Sequence, residues 1–215
     1  MLNNFFRVHE NDLKGTIPSF KDAVLLEEAH FDGNYFSGPI PQLGSTRLRE
    51  IYLGQNALTG GISDSIGNLD KLEIFSASAN ELNGMIPSSL SKATSLRILD
   101  LSHNKLSGEL PSELSGLWQM RELRLDHNQL EGFPSWLGEM KHLELIHLHN
   151  NMLGGRLDLP VDVGDLEDLR EFAIEQNHLT GVVEEYICEL LLDVLTADCY
   201  GSPPPVDCPC CTKCF

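Results

Sequence analysis

The stretch SLRILDLSHNKLSGELPSEL, residues 95–114, decides the fold. Leucine recurs at Leu96, Leu99, Leu101, Leu106, Leu110 and Leu114, which matches neither a steady helix period nor a steady strand period. In ILDLSH, alternation sends Leu99 and Leu101 to one side of a strand and Ile98, Asp100 and Ser102 to the other. The alternation soon stops, so the strand is short. Asn104 then stands where the chain must turn, and a carboxamide can both donate to and accept from backbone groups there. Gly108 permits a bend that a side chain would hinder. Leu110-Pro111 reads as extended chain, because the residue before proline avoids the helical region. Ser112 to Leu117 can close one short helical turn that returns Leu114 and Leu117 to the interior.

The same frame recurs along the chain. KLEIFSASANELNGMIPSSL carries it around Asn80 and QMRELRLDHNQLEGFPSWL around Asn128. Extending both ways gives Asn11, Asn34, Asn56, Asn80, Asn104, Asn128, Asn151 and Asn177, at intervals of 23, 22, 24, 24, 24, 23 and 26 residues. A ninth copy, LDVLTADCY, has Tyr200 where asparagine should stand. One coil cannot bury its leucines alone, whereas stacked coils can, with their strands paired into a parallel sheet. The expected fold is therefore an α/β solenoid of about nine coils. Its parallel sheet lies on a concave face, short helical turns lie on the convex face, and Asn34, Asn56, Asn80, Asn104, Asn128, Asn151 and Asn177 form a structural ladder. The repeat covers residues 1–200 as one domain, its first coil incomplete, and residues 188–215 form a C-terminal cap.

LxxLxLxxNxLxGxIPxxL resembles the plant-type extracellular leucine-rich repeat. IPSF, IPQL, IPSSL and LPSEL carry the proline of that subtype. The tail LTADCYGSPPPVDCPCCTKCF is similar to cysteine-rich C-terminal segments of some algal leucine-rich repeat proteins. The chain departs from the pattern at three places: Ser63 replaces the proline in GGISDSI, the coil after Asn128 is one residue short at EGFPSW, and the coil after Asn151 carries extra residues in RLDLPVDVGDL. The first two read as tolerated variation and the third as a bulge away from the sheet.

All six cysteines, Cys188, Cys199, Cys208, Cys210, Cys211 and Cys214, lie in the last 28 residues. Such a cluster predicts disulfides and an oxidising compartment. Cys210 and Cys211 are adjacent and poorly placed to bond each other, which leaves about a dozen pairings. A zinc site in CPCCTKC is the rival reading. It lacks a tail histidine and conflicts with the extracellular subtype. MLNNFFRVHENDL has no basic segment followed by a long apolar core, so it shows no signal peptide. Phe6 and Val8 already occupy strand positions, so the chain opens inside a repeat. Since the resembled family begins with a signal peptide and a cap, the sequence is expected to be a fragment or a late-starting gene model of an extracellular or cell-surface protein. A cytoplasmic protein with reduced thiols is the alternative.

Lys plus Arg is 15 and Asp plus Glu is 32, a formal charge of -17. That excludes nucleic acid, whose phosphates need a basic face, and favours a basic peptide or protein. No apolar run is long enough to cross a bilayer, so direct membrane insertion by this chain is not expected.

The resemblance makes the concave face the ligand surface. Its outward positions nominate Tyr52, Asp100, Arg124, Asp126, His147, His149 and Glu175, with His103 and His127 in a neighbouring row. A metal site from Asp126, His127, His147 and His149 is chemically conceivable. It is set aside because His103 and His127 fall at a repeat position where polar residues are routine, and neither metal nor cofactor is expected. No GxSxG, HExxH or GxxxxGK[ST] occurs, and Ser102 belongs to the common LDLSxN pattern, so no catalytic residue is assigned. The expected function is recognition of a protein or peptide by a receptor-type ectodomain. Inhibition of a secreted hydrolase and a structural or adhesive role are the alternatives.

Overall fold

The computed structural model describes residues 4–157, 159 and 166–215. Its spine is a ten-stranded parallel sheet that takes one strand from each coil. Nine strands, from Phe5–Arg7 through Ile98–Asp100 and Glu122–Arg124 to Val194–Ala197, follow the repeat in order, and Lys213–Cys214 of the tail adds the tenth. Register is uniform: His30, Tyr52, Ser76, Asp100, Arg124, His147 and Ala173 face one another across successive strands. The alternate positions turn inward, where Ile51, Phe75, Leu99, Leu123, Ile146 and Phe172 are almost wholly buried in a core that runs the length of the stack.

A second parallel sheet, of six strands, runs just after the asparagines, from Lys14–Thr16 to Gln129–Glu131. It stops at the coil that is one residue short. The single bridge Glu131–Met152 leads on to a three-stranded sheet of Gly154–Leu157, His178–Val182 and Val206–Asp207. The sequence pattern marks only a bend here, at glycines such as Gly108. The residues Leu106, Leu82 and Leu58 alternate inward on this side too and are fully buried, which is why a second ladder of strands forms. Short 3-10 turns at Asp64–Asn68, Ser88–Lys92, Ser112–Gly116 and Ser135–Glu139 close four of the coils. At the first of these, Ser63 holds the extended geometry of the missing proline, and its hydroxyl accepts the Ser65 N–H at 3.3 Å.

The asparagines stitch coil to coil. Asn104 Nδ2 donates to the carbonyls of Leu101 and Ser102 in its own turn and of Ala77 in the preceding coil. The Leu82 N–H donates back to its Oδ1. Asn80 and Asn128 repeat this set of bonds. The residue before each asparagine is left-handed: Gln55, Ala79, His103, His127, Asn150 and Gln176 have φ between 52° and 57°. Four residues after each asparagine stands a glycine with positive φ, Gly108 at 76° among them.

The tail closes the open end. Three disulfides pair Cys188 with Cys210, Cys199 with Cys214, and Cys208 with Cys211. They hold Lys213–Cys214 against Val194–Ala197 and Val206–Asp207 against His178–Val182, so both open sheet edges gain a strand. Where the ninth asparagine is missing, Asp198 accepts the Gln176 and Asn177 N–H groups at 2.8 and 3.0 Å. Tyr200 itself is exposed. The expected bulge in RLDLPVDVGDL falls at residues 158 and 160–165, outside the described residues.

Candidate functional site

The outward residues of the ten-stranded sheet form three zones, because repeat register lines up like positions roughly 4.8 Å apart from coil to coil. At the second and third coils, Glu28, Asp32 and Glu50 surround His30 and Tyr52. His30 Nε2 lies 3.5 Å from Glu28 and 3.9 Å from Glu50. Its ring lies 4.6 Å from that of Tyr52. Burial raises the Tyr52 phenol above its ordinary value, and the carboxylates of Glu50, Asp32 and Glu28 add to the rise. Arg7 pairs with Glu28 at the edge.

The middle zone, in coils four and five, is low. It presents Ser76, Ser78 and Ala79, none of them bulky, beside the half-buried Ile74 and Ile98. Ser102 Oγ donates to Asp100 Oδ1 at 2.7 Å. That hydroxyl is therefore hydrogen-bonded to a carboxylate, not to an imidazole that could activate it.

The third zone, in coils five to eight, holds most of the nominated residues. Arg124 pairs with Glu122 along the same strand at 2.6 Å. His147 Nε2 meets Glu171 at 2.9 Å. His103 and His127 stack with ring centroids 4.1 Å apart, and His149 meets His127 edge-on at 5.2 Å. Beneath these rings lies Asp126, only 6% exposed, with Oδ2 at 3.0 Å from His127 Nδ1, 3.6 Å from His103 Nε2 and 3.8 Å from His149 Nε2. Burial pushes the His149 pKa below its ordinary value, against the pull of Asp126 and Glu175, and the neighbouring His147 and His127 push the same way as burial. Its Nδ1 is buried without a hydrogen-bond partner. Glu175 is 8% exposed and accepts a bond from the Thr196 hydroxyl.

The register thus sets Asp100, Arg124 and His147 in one row and Asp126, His149 and Glu175 in the next, while Tyr52 lies two coils from Asp100. Asp126 and Glu175 are covered by neighbours, so they shape the zone more than they face outward. Glu122 and Glu171 belong to the zone as well, and so do His103 and His127, which the sequence sets in a neighbouring outward row. The signal was present in the last two, at the same repeat position 24 residues apart.

Comparison with known proteins places this geometry. Leucine rich repeat family models match residues 78–130 and 47–69. Receptor-like protein 18 of Arabidopsis thaliana is 34% identical over 180 residues, which is 84% of this chain and 16% of that protein. The ectodomain of the Arabidopsis receptor kinase HAESA, solved with the peptide hormone IDA and the co-receptor SERK1, superposes with a TM-score of 0.82 at 28% identity, covering 89% of this chain and 33% of that one. The PEPR1-AtPEP1 structure superposes with a TM-score of 0.81 at 30% identity, covering 94% of this chain and 28% of that one. The chain therefore spans a third or less of the length of these relatives. With its repeats, its two-sheet coils and these relatives in agreement, the chain belongs to the leucine-rich repeat family, in the form found in plant receptor-like ectodomains.

Proposed function

We propose that the chain is the ligand-recognition part of an extracellular or cell-surface receptor-like protein, and that it binds a peptide along its concave face. In this reading residues 1–200 are the recognition stack and residues 188–215 its disulfide cap. The observation that carries it is the in-register row from His30 to His147, which alternates an acidic zone, a low zone and a histidine-rich zone. Glu28, Asp32 and Glu50 suit a cationic group, and the low surface at Ser76, Ser78 and Ala79 leaves room for a bulky side chain. Arg124 and His147 suit polar or acidic atoms farther along. The peptide hormone held by HAESA and the three disulfides of this chain support the same setting. Among the described residues no helix is long and apolar enough to cross a membrane.

The test begins with the immobilised chain and peptides from extracellular fluid, followed by calorimetry on the synthetic form of any peptide retained. The triple variant Arg124→Ala, His147→Ala and His149→Ala should weaken binding at least about tenfold, because side chains central to an interface carry most of its energy. Glu28→Gln with Glu50→Gln should weaken a basic peptide selectively. Equal affinity across all variants would remove the concave face from the reading. Retention of a folded hydrolase with loss of its activity would replace a receptor with an inhibitor.

A further inference from the structure

Three imidazoles from three successive coils converge on one oxygen of a buried carboxylate, Asp126 Oδ2. We propose that His103, Asp126 and His127, with His149 beside them, bind a divalent late transition-metal ion such as zinc or copper on the concave face. Among the described residues, the ionic partners of this carboxylate are all histidines. A buried carboxylate without a fixed cation is costly, and a bound dication offsets that cost. The separations also fit. Ligand atoms about 2.1 Å from a tetrahedral zinc lie roughly 3.4 Å from one another, and the imidazole nitrogens stand 3.0, 3.6 and 3.8 Å from Oδ2. One ligand atom each from His103, Asp126 and His127 fall within 4.8 Å of one another.

The donor set selects the class of ion. Imidazole and carboxylate together suit zinc and copper, whereas calcium and magnesium want a shell of oxygens. The side chains of His103 and His127 are 56% and 42% exposed, so an ion can enter from solvent while the carboxylate stays covered. The set weighed from the sequence and set aside there, Asp126, His127, His147 and His149, included His147, but that ring is engaged by Glu171. His103 takes its place because the left-handed backbone before Asn104 and Asn128 stacks the two rings of that row above Asp126. The proposal stands apart from the peptide reading, since metal binding has its own readout.

The full chain with its disulfides formed, stripped of metal by a chelator, would be titrated with zinc by calorimetry and with copper by electron paramagnetic resonance. One ion should bind per chain, with nitrogen hyperfine structure in the copper spectrum. His103→Asn and His127→Asn should each weaken zinc binding at least about tenfold, as loss of one of a few ligands does. Asparagine already occupies this left-handed position at Asn150, so these variants keep the fold. Asp126→Asn, checked for native circular dichroism, should do the same, while His142→Asn, a histidine outside the cluster that pairs with Asp168, should leave affinity unchanged. A second cluster, His9, His30 and Asp32, is the internal control. Absence of saturable binding, equal binding of calcium, or binding that survives His103→Asn and fails in His30→Asn would each overturn the proposal.

Discussion

Asn104 and the Leu82 N–H are joined across a coil boundary at 3.0 Å. The same carboxamide donates to Ala77, Leu101 and Ser102. A side chain that spends both donors and its acceptor on buried backbone acts as a rivet between neighbouring coils, and Asn104 is itself buried in the turn it fills.

Truncating that rivet leaves a buried N–H and buried carbonyls without partners. Asn104→Ala should lower unfolding stability by about 2–4 kcal/mol. Among the described residues the Asn11 side chain makes two bonds, both within its own exposed turn, so Asn11→Ala should cost less than about 1 kcal/mol. Urea denaturation of the two variants checks this, and equal losses would deny the ladder its role.

Close approach between coils makes a second demand. A Cβ on Gly67 would sit 2.1 Å from the Ser89 carbonyl oxygen, whereas one on Gly116 meets nothing within 4 Å. Gly67→Ala should therefore cost about 1–3 kcal/mol through forced backbone shifts. Gly116→Ala should be neutral or slightly stabilising, because alanine restricts the unfolded chain. Similar melting temperatures for the two variants would contradict the packing of successive 3-10 turns.

The inward half of the coil was legible in the sequence because every copy solves the same problem with the same residues. Leu99, Leu123 and Ile146 bury alike, and the glycine four residues after each asparagine marks a positive φ that L side chains disfavour. The left-handed residue before the asparagine left no such mark. Glutamine, alanine and histidine stand there, held by the coil-to-coil bonds of the asparagine turn and not by their own preference. The second sheet was read only as a bend, since its strands are short and sit beside glycines. The outer face was the least legible. Alternation names which residues point outward. Whether Asp126 is open or roofed over depends on histidines supplied by the coils on either side. The disulfide pairing is likewise decided by where the tail lies against the last strands, which spacing alone does not fix.

The acidic zone gives a pH prediction. Burial, then Glu50, Asp32 and Glu28, raises the Tyr52 phenol. The folded state thus favours the neutral phenol more than the unfolded chain does. This contribution is complete below the unfolded value of about 10 and is lost as pH rises through the folded value. Difference absorbance of tyrosinate, wild type minus Tyr52→Phe, should show Tyr52 ionising later than free tyrosine. Ionisation at or below the free value would mean that the carboxylates do not surround it.

The disulfides differ in what they hold, and the order of their effects follows from loop length and from the strand each one anchors. Cys199–Cys214 spans 15 residues and Cys208–Cys211 only 3. The chain-entropy relation gives about 3 kcal/mol for the first and about 1.5 kcal/mol for the second. Cys214 also belongs to the edge strand, whose neighbours Thr212 and Phe215 donate to the Leu195 and Ala197 carbonyls. Replacing Cys199 and Cys214 with serine should therefore lower stability by the larger amount. It should also speed hydrogen exchange at the Thr212 and Phe215 amides, because the strand loses its tether and the edge of the inner sheet opens. Replacing Cys208 and Cys211 should leave those amides protected, since Cys188–Cys210 still holds the tail to the last full coil. If the shorter loop proves the more costly, or if both pairs leave exchange unchanged, the tail does not secure the edge in the way its strand pairing implies.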